Sequence, residues 1–233
     1  MTFSRGIKQG TPIALGYIPI GTTFGLLARS NGIPNHITIL MSVLVFAGAS
    51  QFITVNLIAL GAGHLEIVTT TFLVNLRHLL MSASLAPKFE KDLSKKIKSL
   101  IGFGITDETF ALASLKDTDN IKTEFILGVN FIAYSSWVGG TILGVFFGDL
   151  LPTVLQNSLG IALYAMFIGL LVPKLKQSRS FLIVSGIAMG ANGFLQWSPT
   201  FDFLNDSWAI MISTIFAAGA GVVLFSNRKE KRK

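Results

Sequence analysis

Residues 69–81 read TTTFLVNLRHLLM and place Asn75, Arg77 and His78 in the middle of an apolar segment that runs from about Ile67 to Ala86. A segment of this length can cross a bilayer, which needs about 20 mostly apolar residues. An arginine at the centre of such a segment costs roughly 2.5–3.5 kcal/mol on insertion, so it normally faces a protein interior or a wet cavity and has a partner. The stretch therefore predicts a membrane protein built around a polar centre.

The composition points to the same class of protein. The chain has 233 residues, of which 51% are hydrophobic and 13% charged, and its mean hydropathy is +0.62. A soluble domain has about 25% charged residues. The long apolar runs do not alternate with polar residues, which favours helices over the strands of a membrane barrel. We therefore predict an all-α polytopic membrane protein.

Several classes of chemistry lack their sequence signals. The chain contains no cysteine, which excludes disulfides, thiolate catalysis and cysteine-ligated metals. It has no GxxxxGK[ST] motif to bind ATP and no HExxH motif to bind a catalytic metal. No enzyme activity, cofactor or metal site is predicted.

The first apolar segment, about residues 11–28, is interrupted by Pro12 and Pro19 and contains the pair Gly21 and Gly25. Proline removes a backbone donor, and glycines four residues apart allow close helix packing. Two interpretations follow. The segment is either a kinked helix packed against its neighbours or a discontinuous helix whose unwound backbone, around Gly21 and Thr22, touches a substrate.

The second segment, about residues 37–60, has small and polar residues at its centre: Gly48, Ala49, Ser50 and Gln51. Such residues either hydrogen-bond a neighbouring helix or line a pocket with their backbone. The sequence leaves both interpretations open.

The fourth segment, about residues 97–115, is cut by Thr106-Asp107-Glu108-Thr109. Thr106 or Asp107 can cap a second short helix, and acidic residues are favoured at a helix N-terminus. We therefore predict a broken or re-entrant element here. Further apolar segments are predicted at about 124–148, with a glycine ladder at positions 140, 144 and 148, and at 159–172, 181–195 and 207–225.

The basic residues lie mainly between segments and in the tail, residues 227–233, which we expect in the cytoplasm. The charge bias favours about seven transmembrane helices plus the broken segment, with the N-terminus outside, although the side of the N-terminus stays open. Residues 1–233 are predicted to form one transporter domain. Gly21-Thr22 and Gly140-Thr141 start similar GTxxG patterns, which suggests an inverted repeat with halves of about 10–86 and 123–195.

Together these motifs resemble the AzlC family of branched-chain amino acid permeases, over essentially the whole chain. The resemblance rests on the proline- and glycine-interrupted first segment, Gly48-Ala49-Ser50-Gln51-Phe52, Asn75-Leu76-Arg77-His78 and Thr106-Asp107-Glu108. It implies export of leucine, isoleucine and valine, and of methionine in some members, across a bacterial inner membrane. It also implies coupling to the proton motive force and a separate, small membrane partner of the AzlD type.

An amino acid substrate would need groups of both charges. Its carboxylate suits a guanidinium or free backbone N–H groups, and its ammonium group suits a carboxylate or backbone carbonyls. The candidate substrate-binding residues are Gly21, Thr22, Gly48, Ala49, Ser50, Gln51, Asn75 and Arg77. The candidate proton-coupling residues are His78, Asp107 and Glu108.

Other interpretations stay open. Arg77 can form an ion pair with Asp107 or Glu108 that only fixes helix positions, or one that opens when a proton or a substrate arrives. The alternative functions are a channel, a permease subunit for another small solute driven by a separate component, or a passive scaffold. A membrane-embedded hydrolase is a further alternative, although no nucleophile–base pair or metal motif is visible.

Overall fold

The computed structural model describes residues 2–90, 92–114, 121–150, 178–198 and 206–225, with a few isolated residues between 152 and 176. These residues are almost entirely helical, and the all-α class is confirmed. The helices are α1 (Phe3–Ser30), α2 (Asn35–Leu44), α3 (Gly48–Ala59), α4 (His64–Leu85), α5 (Lys95–Phe103), α6 (Asp107–Ser114), α7 (Thr123–Phe147), α8 (Arg179–Trp197) and α9 (Asp206–Phe225).

Three helical stretches are long and apolar enough to cross a membrane: Phe3–Ser30, Thr123–Phe147 and Trp208–Phe225. The prediction of about seven spans stays a prediction, because several other helices are shorter or less apolar. The predicted segment at 159–172 and the basic tail at 227–233 lie outside the described residues.

The chain packs into two compact units, residues 1–60 with 71–163 and residues 61–70 with 164–233. In the second unit α8 and α9 pack against each other, with Gly221 against the side chain of Val184. The first unit contains every predicted site residue. The single domain 1–233 and its repeat halves stay predictions.

The first unit is built on close contact between α1 and α7. A Cβ atom added to Gly21 would lie 2.8 Å from the carbonyl oxygen of Trp137, and one added to Gly140 would lie 3.3 Å from the Cα of Gly21. Gly25 meets Gly144 in the same way. We call this backbone-to-backbone contact the glycine seam. It confirms that the glycines at 21, 25, 140 and 144 form a packing face.

The two helices of the seam run parallel. Gly6 lies against Gly128 near the start of α7, whereas Gly25 lies against Gly144 near its end. The expectation that the two similar patterns at Gly21 and Gly140 have opposite orientations is therefore wrong.

The first segment is one continuous helix, with Pro12 and Pro19 inside it. Of the two interpretations left open, the packed helix is correct and the discontinuous helix around Gly21 and Thr22 is wrong. Thr22 donates its hydroxyl to the Ile18 carbonyl at 2.8 Å, and Gly21 lies in the seam. Tight packing against α7 holds the helix together across its prolines.

The break lies instead in the second segment, between α2 and α3, and the prediction of a single segment over 37–60 is wrong. Ser42 of α2 lies 2.7 Å from Thr141 of α7, and Phe46 then packs on Tyr134, two turns nearer the start of α7. The chain turns back at residues 45–47, and Gln51 then donates its Nε2 to the Ser42 hydroxyl at 2.9 Å. Residues 35–59 therefore form a helical hairpin, the first hairpin.

The predicted break in the fourth segment is present, between α5 and α6. Thr106 caps α6, because its hydroxyl accepts from the Thr109 N–H at 3.3 Å and the Thr109 hydroxyl accepts from the Thr106 N–H at 2.8 Å. Lys88, before α5, donates its Nζ to the carbonyl of Ser114 at the end of α6, at 3.3 Å. Residues 95–114 therefore form a second hairpin, which begins and finishes at the same end of the unit.

The two hairpins enter the first unit from opposite ends. The backbone of Lys88 also accepts from Ile121, just before α7, so the second hairpin enters at the end where α7 starts. Gly6 of α1 packs at this same end. The N-terminus and the lysine-rich loop at 87–98 therefore share one end, which we call the basic end. The arrangement that the charge bias favours, with the N-terminus outside and this basic loop in the cytoplasm, would put the two at opposite ends, and this unit does not have it.

Candidate functional site

The turns of the two hairpins meet in the interior of the first unit. Phe46, in the first turn, and Phe103, beside the second, have ring centroids 6.0 Å apart, and Tyr134 of α7 packs on both rings. Phe46 has φ of 44°, a left-handed conformation that costs a residue with a side chain about 1–2 kcal/mol. Irregular backbone is tolerated at membrane depth where it is enclosed by protein or lines a cavity.

Arg77 forms an ion pair at the second turn. Its Nη1 lies 2.6 Å from Asp107 Oδ2 at the first residue of α6, and the two side chains are 36% and 19% exposed. The predicted contact between Arg77 and one of the two acids is confirmed, with Asp107 as the partner. Both side chains are therefore only partly buried.

Glu108 has a different partner, Tyr17 of α1. The Tyr17 hydroxyl lies 2.5 Å from Glu108 Oε2 and 2.7 Å from Thr106 Oγ1. A phenol has one proton, so the hydroxyl donates to one of these oxygens and accepts from the other. The two acids of the predicted proton-coupling set therefore point to different helices.

The α4 helix presents several polar atoms that lack a partner. Asn75 Oδ1, Arg77 Nε and His78 Nε2 are buried and make no hydrogen bond within the described residues. His78 lies beside the backbone of Ile105, in the second turn. Buried polar atoms in native structures are normally satisfied. These atoms are therefore available to a water molecule or a polar solute.

The predicted residues at the start of α3 are internally satisfied. Gln51 is 1% exposed; its Oε1 accepts from the Ala47 N–H at 3.2 Å and from Trp137 Nε1 at 3.0 Å. Ser50 donates to the Ala47 carbonyl, and Gly48 packs against the Trp137 ring. These contacts support the helix-packing interpretation for the side chains. A substrate role for Gly48, Ala49, Ser50 and Gln51 stays a prediction.

Gly21 and Thr22 lie in regular helix, where no unwound backbone is exposed to a substrate. Both lie inside α1, so a substrate role for them cannot depend on unwound backbone and stays an untested prediction. By contrast, Tyr17 contacts Phe46 in the first turn and Trp137 contacts Gln51 in α3, but neither is among the predicted site residues. A weak signal was available, since each is an aromatic residue with a polar group inside an apolar segment, where that group needs a partner.

No group of three or more metal-binding side chains lies together in the part of the chain that the structure describes. The site is instead a meeting of two hairpin turns, an accessible ion pair and a tyrosine–carboxyl contact. Such features define an integral membrane protein of the helical, multi-pass class, with discontinuous helices.

The chain belongs to the AzlC family. Residues 12–151 match the family described as "AzlC protein", which covers more than half of the chain and both hairpins. No solved structure gives a significant match to the chain.

Three relatives support this assignment. An "Uncharacterized membrane protein" of Archaeoglobus fulgidus is 37% identical over 80% of this chain and 82% of its own length. The "Inner membrane protein YgaZ" of Escherichia coli is 32% identical over 84% and 83%. The "Branched-chain amino acid transport protein AzlC" of Bacillus subtilis is 26% identical over 80% and 74%. The chain is therefore a multi-pass membrane protein.

Proposed function

We propose that the chain is a secondary transporter that exports branched-chain amino acids, coupled to protons and assisted by a small AzlD-type membrane subunit. The observation behind the proposal is the meeting of two opposed hairpin turns beside Arg77 and Asp107. A second support is the similarity to the Bacillus subtilis relative, which is named a branched-chain amino acid transport protein.

Arg77 would bind the substrate carboxylate. A guanidinium offers paired donors that match a carboxylate, and Arg77 Nε has no partner among the described residues. The substrate would displace Asp107 from Arg77, and the freed Asp107 carboxylate would then accept the substrate's ammonium group.

Tyr17 and Glu108 would handle the proton. With Glu108 ionised, the Tyr17 hydroxyl donates to Glu108 and accepts from Thr106. With Glu108 protonated, Glu108 donates to Tyr17, and Tyr17 donates to Thr106. Protonation thus reverses a chain of hydrogen bonds that ends on the cap of α6, the helix that also contains Asp107. This links the proton to the ion pair through one short helix.

The test is radiolabelled isoleucine flux in proteoliposomes under an imposed pH gradient, with and without the small partner. Gradient-driven uphill flux that needs the partner is the expected result. Downhill flux that ignores the gradient would replace the proposal with a channel. The absence of isoleucine flux in both preparations would remove the substrate assignment.

Three single variants then assign the coupling. We expect Asp107→Asn and Glu108→Gln to lose gradient-driven flux, whereas Glu124→Gln, an exposed acid at the start of α7, should keep it. Unchanged gradient-driven flux in both site variants would refute the roles proposed for Asp107 in substrate binding and for Glu108 in proton coupling.

A further inference from the structure

A cavity of about 550 Å³ lies between α4 and α5, at the basic end of the first unit. Small side chains and apolar walls keep it open: Ser82 and Ala83 on α4, Gly102 on α5, and Ile105 beyond it. The volume is in the range of small-molecule sites, about 300–1,000 Å³. Nothing in the proposed mechanism uses this space.

The cavity reaches from the basic end to the candidate site. Glu90 and Lys98 line its outer part. Its inner wall includes the buried residues Ile101 and Ile105, and Ile105 directly precedes Thr106. A solute in the cavity would therefore contact the second hairpin turn at Ile105.

The lining is chemically complementary to an aliphatic amino acid. Lys98 offers a cation with no ion pair among the described residues. Glu90 offers a carboxylate that already accepts from Lys122 at 2.9 Å and Thr123 at 2.6 Å. An ionised carboxyl has about four acceptor positions, so Glu90 retains capacity for an ammonium group. Between these charges and Ile105 the walls are apolar.

We propose that this cavity is an access site that binds a zwitterionic amino acid with an aliphatic side chain before it reaches Arg77. Lys98 holds the carboxylate, Glu90 holds the ammonium group, and the side chain points inward to Ile105. This inference rests on the proposed function for the identity of the solute. Basic loops favour the cytoplasmic side of a membrane, so the access site would face the cytoplasm, as export requires.

Substrate protection of a single cysteine tests the site independently of flux. The chain has no cysteine, so Gly102→Cys introduces one thiol without background. A Cβ atom at Gly102 meets only Ser82 Oγ, at 4.0 Å, so the substitution fits. Lys96→Cys is the matched control, because it lies exposed on the same helix and does not line the cavity.

The experiment measures maleimide labelling rates in proteoliposomes that contain the chain and its small partner. We expect isoleucine to slow labelling of Gly102→Cys at least about threefold and aspartate to have no effect, with Lys96→Cys unaffected by either. In flux, Lys98→Gln should raise the half-saturating isoleucine concentration several-fold, whereas Lys96→Gln should not. If Gly102→Cys does not fold, Ala83→Cys probes the opposite wall.

The two proposals fail separately. Isoleucine flux with labelling that isoleucine does not slow would overturn the access site and leave the transport proposal in place. Slowed labelling without flux would keep the binding site and overturn transport.

Discussion

The glycine seam makes a sharp prediction, because α7 has two adjacent glycines in opposite surroundings. A Cβ atom added to Gly140 would lie 2.6 Å from the carbonyl oxygen of Ile18, whereas one added to Gly139 meets no atom within 4 Å. Gly140→Ala and Gly139→Ala therefore make the same chemical change to the same helix, with and without a steric conflict.

The magnitudes follow from the geometry. Ordinary contact begins at 3.4 Å, so the Ile18 oxygen must move by about 0.8 Å, and α1 must move with it because the oxygen belongs to the backbone. Overpacking of this kind costs about 1–3 kcal/mol, while alanine gains about 0.8–1 kcal/mol over glycine in a helix. We expect Gly139→Ala to be as stable as the wild type or more stable. We expect Gly140→Ala to be less stable than Gly139→Ala by roughly 1–3 kcal/mol.

The assay is thermal unfolding in detergent, followed by tryptophan fluorescence. For a chain of about this size 1 kcal/mol shifts the unfolding midpoint by about 2–4 °C, so Gly140→Ala should unfold roughly 5 °C below Gly139→Ala. Equal midpoints, or the reverse order, would refute the close contact between α1 and α7.

Two further predictions concern single polar groups. Tyr17→Phe keeps the ring and removes the hydroxyl, so pH-gradient-driven isoleucine flux should fall about tenfold or more, since a hydrogen bond to a charged group contributes ~1.5–3 kcal/mol; an unchanged dependence on the gradient would exclude Tyr17 from proton coupling. At the basic end, the hydrogen bond from Thr123 and then that from Lys122 lower the pKa of Glu90, so its contribution to stability is present above the ordinary carboxyl range and is lost as pH falls through the lowered pKa. The difference in unfolding midpoint between the wild type and Glu90→Gln should therefore be constant near neutral pH and shrink below about pH 4; a constant difference through this acid range would contradict the assigned contacts.

The sequence was most informative where a polar group must be satisfied inside an apolar segment. Arg77 in the middle of an apolar segment required a partner, and the acids at Asp107 and Glu108 were nearby candidates, so the contact and the break at Thr106 could both be predicted. The glycine spacing likewise predicted a packing face, because glycines four residues apart lie on one side of a helix.

The location of the other break could not be read from composition. Pro12 and Pro19 weaken α1, but contact with α7 along the seam outweighs their local effect. The first hairpin turns at Phe46, an apolar residue with positive φ, and no turn-forming residue precedes it there. Its conformation depends on aromatic contacts with Tyr17, Phe103 and Tyr134, which come from distant parts of the chain.

Tyr17 was not predicted as a site residue because its partners are far from it in the sequence. It contacts Thr106 and Glu108 only after α1 and the second hairpin have assembled, and local sequence contains no record of that pairing. The hairpins approach from opposite ends, whereas the two glycine-rich helices that the sequence similarity pointed to run parallel, and the inverted repeat stays a prediction.

The glycine seam also limits how this unit can move. Where backbone meets backbone, no side chain can change rotamer to absorb a displacement, so sliding or rolling of α1 on α7 would bring main-chain atoms into collision. We therefore expect α1 and α7 to move as one rigid pair. Any motion that opens one end and closes the other would therefore have to take place at the two hairpins, through the turns at residues 45–47 and 104–106.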